Sequence, residues 1–413
     1  MSDLTIRIAP GLTNVAGAAW DACANPATPA ASSSPAPGPS VDSAEGERRE
    51  TYNPFVSYAF LSALEDSGCV SARTGWLPLH VLVQRGTDLL AAAPCYLKTH
   101  SQGEYVFDHA WADAYERAGG RYYPKLQVCV PFTPVTGPRL LLAGPEQARE
   151  MRAALIEGLR AVRAQTKASS IHLTFMLQDE AEDVRELGLL RRLDQQFHWL
   201  NEGYGSFDAF LAALASRKRK AIRRERRDAL AGGEIAIEWI TGRDITEAHW
   251  DAFFAFYMDT GSRKWGRPYL NRRFFSLIGE RMPERMPERV LLIMAKRGGR
   301  YIAGALNLIG DAALYGRNWG CVEDHPFLHF EICYYQAIDF AISRRLARVE
   351  AGAQGEHKLA RGYRPALTYS AHDIADPSLR HAVEANLSRE QDYVVEAAEE
   401  LAEATPFRKI AEG

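Results

Sequence analysis

The chain has 413 residues, with 49 Lys and Arg against 52 Asp and Glu, so its formal net charge is −3. Apolar residues make up 46% and charged residues 24%, a balance typical of globular domains, and the length favours two of them. The charge balance excludes a protein that is basic over its whole surface.

The first half begins with a predicted strand, Thr5–Ile8. A Pro/Ala/Ser-rich insertion at 25–49 follows, and its composition cannot bury enough apolar area to fold alone. Period-2 and period-3.6 patterns then predict the remaining elements. They are a helix from Asn53 to Gly68, strands Leu79–Gln84, Leu89–Lys98 and Gly103–Phe107, a helix Trp111–Tyr123, a strand Lys125–Val130, a helix Gln147–Lys167, a strand Ser170–Met176, a helix Asp179–Leu193 and a strand Gln196–Leu200.

The second half repeats this order without visible sequence identity. Its predicted elements are a helix Phe207–Ala231, a strand Glu234–Thr241, helices Thr246–Thr260 and Asn271–Arg281, strands Val290–Lys296, Tyr301–Ile309 and Ala312–Arg317, a helix Leu328–Leu346, a strand Arg348–Glu350 and a helix Asp376–Ala402. Each half thus runs helix, strands, central hairpin, helix, strand. We predict an α/β protein of mixed α+β type, with domains at 1–200 and 201–375 and a helical tail at 376–413.

The densest group of reactive side chains lies in the loop that follows Glu350. Glycines 352, 355 and 362 punctuate it, and Gln354, His357, Lys358 and Arg361 lie between or beside them. Loops held on a scaffold often carry catalytic and binding residues. The alternative is a solvated turn with ordinary surface charges.

Two further segments are rich in cations. Residues 216–227 contain eight Lys and Arg and one acid, which indicates either a phosphate-binding helix or a solvated helix paired with acids elsewhere. The segment 260–269 combines Arg263, Lys264 and Trp265 and fits a base- or sugar-stacking loop, or a simple connection.

Clusters at predicted strand ends complete the candidates. In the second half, the run Tyr315-Gly-Arg317-Asn318-Trp319 leads to Glu331 and to Tyr334 and Tyr335, which fit a cleft or the core. In the first half, Asp108 is either a base or a helix cap. Its aromatic and basic neighbours are Trp111, Tyr122, Tyr123 and Lys125.

Several motifs and segments are absent from the sequence. It has no phosphate-binding G-x-x-x-x-G-K-[ST] loop, no G-x-G-x-x-G, no G-x-S-x-G and no H-E-x-x-H. The six cysteines form no C-x-x-C pair, so we interpret them as reduced, mostly buried thiols. No window of 18 apolar residues and no apolar leader occurs, and we expect a cytoplasmic protein without a membrane span or a metal.

Taken together, these segments resemble the peptidoglycan biosynthesis/recognition family, a FemAB-like branch of the GNAT acyltransferases. The matching pieces are Asn53–Glu65, Phe107–Trp111, Tyr122–Lys125, Arg217–Lys220, Arg263–Trp265, Tyr315–Trp319, Phe330–Tyr334, Gly355–Lys358 and Arg361-Gly362. The resemblance implies two tandem GNAT-like domains, each a mixed, mostly antiparallel sheet flanked by helices. It also implies transfer of an acyl or aminoacyl group to an amine without a metal or a tightly bound cofactor.

One departure from the GNAT pattern bears on the donor. GNAT acetyltransferases hold the CoA pyrophosphate with an Arg/Gln-x-x-Gly-x-Gly/Ala loop at a helix N-terminus. The corresponding junctions, 137–139 and 321–329, lack it. We therefore expect aminoacyl-tRNA as donor, with acyl-CoA as the second choice. The alternatives are a CoA-dependent N-acetyltransferase of a small amine and a non-catalytic binding protein for a cell-wall precursor or RNA.

The resemblance also suggests roles for residues. His357 or Glu331 would accept the proton, with Asp108 as a further candidate base, and Lys358 and Arg361 would stabilise an oxyanion or donor phosphate. The polyanion would be held by Arg217, Lys218, Arg219, Lys220 and Arg223. Substrate would be bound by Trp111, Tyr122, Tyr123, Lys125, Arg263, Lys264, Trp265, Tyr315, Arg317, Asn318, Trp319, Tyr335, Gln354 and Arg361.

Overall fold

The computed structural model describes residues 4–26, 52–230, 233–264, 268–285, 288–352 and 355–408. The predicted insertion at 25–49 therefore lies almost wholly outside the described residues. The two ends that flank it are bonded to each other, because the Asn53 N–H donates to Asn25 Oδ1 at 2.7 Å.

The strands are mostly short and antiparallel, in agreement with the sequence prediction. They are β1 (Leu4–Ala9), β2 (Trp76–Pro78), β3 (His80–Arg85), β4 (Asp88–Ala93), β5 (Cys95–Lys98), β6 (Lys125–Val128), β7 (Leu141–Leu142), β8 (Ser170–Met176), β9 (Leu190–Leu200), β10 (Ile235–Thr241), β11 (Val290–Arg297), β12 (Arg300–Ile309), β13 (Ala313–Cys321), β14 (Arg348–Glu350) and β15 (Arg364–Ile374).

The helices flank these strands on both faces. They are α1 (Gly17–Ala24), α2 (Tyr58–Asp66), α3 (His109–Arg117), α4 (Ala148–Thr166), α5 (Gln178–Glu186), α6 (Phe207–Ala213), α7 (Ser216–Ala229), α8 (Glu247–Lys264), α9 (Arg272–Arg285), α10 (Leu328–Phe330), α11 (Gln336–Ser343) and α12 (Pro377–Glu403). A π-helical turn, Glu331–Tyr335, joins α10 to α11. Such turns are rare and often accompany functional sites.

The strands form two sheets. A small sheet has the order β1-β3-β4-β7, and a large one has the order β10-β11-β12-β13-β14-β9-β15-β8-β6-β5-β2. Each half contributes one parallel pair to the large sheet, β6 with β8 and β13 with β14. The tight hairpin predicted between β11 and β12 is present, with Gly298 and Gly299 both at positive φ, as a type I′ turn requires.

The two halves share a core. Phe55 of the first half packs edge-on against Tyr315 of β13, with ring centroids 5.3 Å apart, and Phe60 does the same with Phe274 of α9 at 5.7 Å. These four rings belong to one apolar cluster that runs through both halves. Residues of both halves therefore pack around β13.

Several predictions about single elements are wrong. The strand predicted over Leu89–Lys98 divides at Pro94 into β4 of the small sheet and β5 of the large one. Residues 103–107 form irregular loop and not a strand, and the helix predicted to reach Leu193 ends at Glu186, so that β9 begins at Leu190. The helix predicted over 207–231 breaks after α6. It breaks because the Ala215 N–H donates to the Pro406 carbonyl at 2.9 Å, outside any helix.

Strand β15 was not predicted at all. It lies between β8 and β9, antiparallel to both, although its residues fall within the segment assigned to the second domain. The boundaries at 200 and 375 stay a prediction. Five of the six cysteines are buried and none is bonded to another, as expected for reduced thiols.

Candidate active site

The candidate site begins where β13 and β14 part. Their parallel pairing ends at Tyr315 and Glu350, whereas β13 continues to Cys321 alongside β12 alone. The register shifts there, because Leu306 lies opposite Asn318 and Asn307 opposite Gly316. Arg317 is therefore the extra residue of a β-bulge, a device that redirects side chains and ends pairing near active sites. No other strand of the described residues pairs with this free edge.

The loop 355–362 lies beside this opening. It forms a 3₁₀ helix, Glu356–Arg361. The exposed His357 side chain meets the π-helical turn, with Nε2 2.9 Å from the Tyr334 hydroxyl. Burial, and then the charges of Arg361 and Lys358, lower the pKa of His357. The lowered pKa favours the neutral form of the imidazole.

Arg361 fixes the loop on three sides. Its guanidinium donates to the His357 carbonyl at 2.8 Å and to Glu225 of α7 at 2.9 Å. It also lies over the ring of Phe330, 3.5 Å from the centroid. Since Tyr335 donates its hydroxyl to the same Glu225 carboxylate, Arg361 and Tyr335 are structural supports of the loop.

Lys358 is the unusual charge of the group. Its side chain is only 1% exposed, and Nζ donates to the Gly352 carbonyl at 2.8 Å. Burial lowers the pKa of this amine to about 8. The ammonium form still predominates at pH 7, so a buried positive charge lies beside the opening with a carbonyl as its hydrogen-bond partner.

A cavity of about 380 Å³ lies at the end of β13, and Phe330 of its lining contacts His357 and Arg361 of the loop. Its lining includes Trp319, Glu323 and Phe330. A chain of ring contacts links it to His357. Trp319 touches His329 at 5.1 Å, His329 touches Tyr334 at 5.5 Å, and Tyr334 touches His357 at 5.7 Å. Aromatic walls of this kind suit the stacking of a base or sugar.

Helix α7 packs against the same loop through Glu225 and carries the basic run on its other faces. Within the described residues, five of its eight cations make no ion pair; these are Arg217, Lys218, Arg219, Lys220 and Arg224. Arg223 pairs with Asp208 at 3.0 Å, where both side chains are more than half exposed. The four cations at 217–220 lie about 8–12 Å along the helix axis from Glu225, and Arg224 is next to it.

Glu331 does not fit the predicted role of proton acceptor. It is fully buried. Arg226 donates to both of its oxygens at 3.0–3.2 Å, and Gln336 Nε2 donates to one of them at 2.7 Å. A carboxylate saturated in this way is a structural ion pair that joins α7 to the π-helical turn.

The first-half candidates form a separate, buried network. Lys125 donates to Asp108, to Ser101 at 2.8 Å and to Glu104 at 2.7 Å, and Tyr122 donates to Asp108 at 2.7 Å. Burial by itself would raise the pKa of Asp108, but the Lys125 ammonium holds it below its usual value.

The other first-half residues adjoin this network, since Tyr123 bonds to Ser101 at 2.8 Å and Trp111 packs against His372. No described contact joins the network to His357. Its aspartate is fully paired, so the base role predicted for Asp108 finds no support in these contacts.

The remaining predicted residues are placed as follows. Tyr315 is a core residue, 1% exposed, and Arg317 donates to the Phe132 carbonyl at 2.9 Å, across the boundary between the halves. Asn318 is half-buried beside it. Trp265, Gln354 and the side chains of Arg263 and Lys264 lie outside the described residues.

Glu225 was not predicted from the sequence. It is the only acid among the eight cations at 216–227. Its position inside this basic segment was the sequence signal that could have identified it as a site residue.

Two broader properties concern the described part of the chain. No cluster of three or more His, Cys, Asp or Glu side chains there is arranged to hold a metal ion. No helix in these ranges is both long and apolar enough to cross a bilayer.

The fold is similar to that of FemX, and two further solved structures match the chain with TM-scores below 0.5. The crystal structure of FemX superposes with a TM-score of 0.50 at 12% identity and covers 79% of this chain and 94% of that one. A tandem GNAT protein from the clavulanic acid biosynthesis pathway has a TM-score of 0.46 at 12% identity, with 91% and 99% covered. L-PGS from Bacillus licheniformis has 0.46 at 9%, with 79% and 95% covered. The predicted fold class, a mixed α/β protein with mostly antiparallel sheets flanked by helices, is confirmed.

Residues 11–409 match the model of the FemAB-like family, described as peptidoglycan biosynthesis/recognition. The chain belongs to this family, and with it to the acyl- and aminoacyltransferases. Among curated proteins, no sequence matches the chain.

Proposed function

We propose that the chain transfers an aminoacyl group from aminoacyl-tRNA to the amine of a peptidoglycan precursor, in the cytoplasm and without a bound cofactor. The observation that carries the proposal is a group of five cations on α7 that make no ion pair within the described residues. Helix α7 packs against α10, whose residues line the cavity at the end of β13. A metal-free reaction of this kind depends on orientation and on electrostatic stabilisation of the ester carbonyl.

The charge on α7 favours a polyanionic donor. Like charges repel along a helix surface, and α7 carries five cations that no carboxylate of the described residues neutralises. Along the helix axis they span about 10 Å, comparable to one Debye length at physiological salt, so their electrostatic fields overlap. A phosphate backbone would relieve the repulsion and gain affinity by counterion release.

The loop after β13 argues against a CoA pyrophosphate. It carries Glu323 and Asp324 where a phosphate site would need glycine and free backbone N–H groups. The hydrogen bond from His325, followed by those from Arg297 and Arg300, lowers the pKa of Glu323 to about 2. Arg297 and Arg300 already neutralise this carboxylate, so it is the missing glycine-rich turn that disfavours a CoA pyrophosphate.

The donor ester would lie between the cavity and the loop 355–362. Lys358 is the group best placed to stabilise the oxyanion that forms when an amine attacks the ester. Its ammonium is buried and its position is fixed by the Gly352 carbonyl. A charge in a water-poor site acts more strongly than one in solvent. The aromatic chain from Trp319 to His357 would stack the terminal base of the donor.

The test compares two charge-matched variants in binding to bulk aminoacylated tRNA. The first replaces Arg217, Lys218, Lys220 and Arg224 with Gln. The control replaces four exposed cations of the first half with Gln, namely Arg73, Arg85, Arg117 and Arg121. Both carry the same change in net charge, so only the location differs.

We expect the α7 variant to bind tRNA more weakly. The slope of log affinity against log salt should fall by about 0.7–0.9 for each phosphate that the variant no longer neutralises. The control should bind like the wild type. Equal binding by both variants would contradict the proposal. A thermal shift with acetyl-CoA and none with tRNA would instead favour the N-acetyltransferase. Binding of a muramyl pentapeptide without turnover on any donor would favour a recognition protein.

A further inference from the structure

A short tail, residues 404–408, follows α12 and meets the junction between α6 and α7. The Ala215 N–H donates to the Pro406 carbonyl at 2.9 Å, and the Arg408 N–H donates to the Ala213 carbonyl at 3.0 Å. Ala213 is the last residue of α6, and Ala215 directly precedes α7. The tail is therefore bonded to the backbone from which the basic helix begins.

The junction takes these hydrogen bonds from the tail because its own side chains supply none. Ala215 is the N-cap residue of α7 and has no side-chain oxygen that could accept from the first turn. Leu214 is fully buried and forms an antiparallel bridge with Phe407. Unpaired backbone groups are costly in a buried position, so the tail stabilises the break between the two helices.

Phe407 also joins the tail to the end of the loop 355–362. Its ring packs against Phe210 of α6, with centroids 6.4 Å apart, and the Arg364 guanidinium lies 4.7 Å from its centroid. Gly362 ends the loop so close to both rings that a Cβ there would lie 2.7 Å from Phe210 and 3.7 Å from Phe407. One aromatic side chain thus contacts both the helix pair and the loop of the candidate site.

The first turns of α7 are poorly stabilised by their own residues. The four cations at 217–220 lie at the positive end of the helix dipole, whereas cations are favoured at the negative end. Repulsion between neighbouring like charges adds to this cost. Farther along, α7 is fixed by the ion pairs of Glu225 with Arg361 and of Arg226 with Glu331. The tail supplies hydrogen bonds at the other, basic end.

Helix α12 carries the tail and is anchored independently of α7. Leu379, Val383 and Leu387 belong to an apolar cluster that contains Trp111 of α3. Leu401, near the end of the helix, packs against the core cluster of the second half. The helix therefore extends from a cluster beside the first half to the core beneath α6, and it delivers the tail to the start of α7.

We propose that residues 404–408 form a latch that positions the basic helix for the donor, with Phe407 as the positioning residue; this assignment rests on the proposed tRNA-dependent transfer. With the latch seated, the cations at 217–220 belong to an ordered helix that is fixed against the loop 355–362. With the latch detached, the first turns of α7 fray, and these cations lose their fixed distance from the loop. The latch thus sets the affinity for a long polyanionic donor and does not affect a donor too short to reach α7.

The test compares two donors in transfer to a muramyl pentapeptide. One is aminoacyl-tRNA, and the other is the aminoacyl ester of adenosine, which has the same ester and no phosphate backbone. The variants are Phe407→Ala, Phe407→Leu and a chain that ends at Glu403. Tyr393→Ala serves as the control, because it removes an aromatic side chain from α12 at a position that is 71% exposed. Deuterium exchange over residues 206–222 reports the order of the junction and of the first turns of α7.

We expect Phe407→Ala and the shortened chain to raise the Kd for aminoacyl-tRNA by about 10-fold or more, the effect of losing one or two phosphate contacts. The slope of log affinity against log salt should fall by about 0.7–0.9 per lost contact. Phe407→Ala changes no charge, so a smaller slope in this variant reports lost positioning. Exchange over 206–222 should become faster, and kcat/KM with the adenosine ester should not change. Phe407→Leu should recover most of the affinity, and the control should match the wild type.

Two results would overturn the latch. One is a wild-type Kd and salt slope in Phe407→Ala. The other is an equal fall in kcat/KM with both donors, which would indicate a general loss of structure. Both results leave the proposed function intact. A wild-type protein that binds no tRNA, or that binds it equally well after the substitutions on α7, would instead remove the proposed function on which the latch rests.

Discussion

Replacing Glu331 with Gln should destabilise the fold and leave the chemistry of the folded enzyme unchanged. The carboxylate is 0% exposed. Arg226 approaches it at 3.0 Å, and Gln336 donates to it at 2.7 Å. The substitution removes the charge that compensates Arg226 and places an amide where two acceptor oxygens are required.

The magnitude follows from the burial of the two partners. Removing one member of a fully buried pair costs about 3–5 kcal/mol, because the other charge is left uncompensated. Arg226 is 23% exposed and keeps Asp339 at 3.5 Å, so water and the second carboxylate recover part of that cost. We therefore expect a loss of about 2–3 kcal/mol in the free energy of unfolding.

Urea denaturation of Glu331→Gln, Arg226→Gln and the double variant measures this value. The double variant should cost less than the sum of the single ones, since each single change already removes the same pair. The kcat of the folded Glu331→Gln fraction should equal that of the wild type. Unchanged stability together with a fall in kcat of about 100-fold would refute the reasoning and restore Glu331 as proton acceptor.

Two further predictions concern stability. In Gly320→Ala, the new Cβ would overlap the carbonyl oxygen of Phe256 in α8, so urea denaturation should show a loss of about 3 kcal/mol or more; Gly144→Ala, which meets nothing within 4 Å, should show little change. Burial lowers the pKa of His172 to about 3 and that of His372 well below its usual value, so below pH 6.5 the unfolded chain binds protons that the folded chain does not. Stability should fall between pH 6.5 and 3 by up to about 1.4 kcal/mol per pH unit for each histidine, and a flat profile from pH 7 to 4 would contradict this.

Much of the fold could be predicted from local patterns of apolar and turn residues in the sequence. The strands Ser170–Met176 and Arg348–Glu350 were predicted to the residue, because apolar runs bounded by turn residues mark buried strands. Strand β15 was missed for a physical reason. It contains Pro365 and a polar end at His372, and its partners β8 and β9 are remote in sequence. Strand propensity depends on such neighbours.

The candidate site was predicted in part. The loop with His357, Lys358 and Arg361 was recognised from its composition, and the structure places it beside a cavity and the basic helix. The pairing of Arg361 with Glu225, which are 136 residues apart in the chain, has no local signature. The contacts of Glu331 are equally invisible, since the sequence does not show whether an acid is paired or free.

The position of β15 has a consequence for synthesis on the ribosome. The strand that fills the gap between β8 and β9 is made about 165 residues after the end of β9 is complete, on the bounds given above. Until it emerges, β8 and β9 each present an unpaired edge, which is a template for mispairing. The first half therefore cannot finish folding as it leaves the ribosome, and a chain that stops before residue 364 should be a substrate for chaperones and proteases, even though it carries the whole predicted first domain.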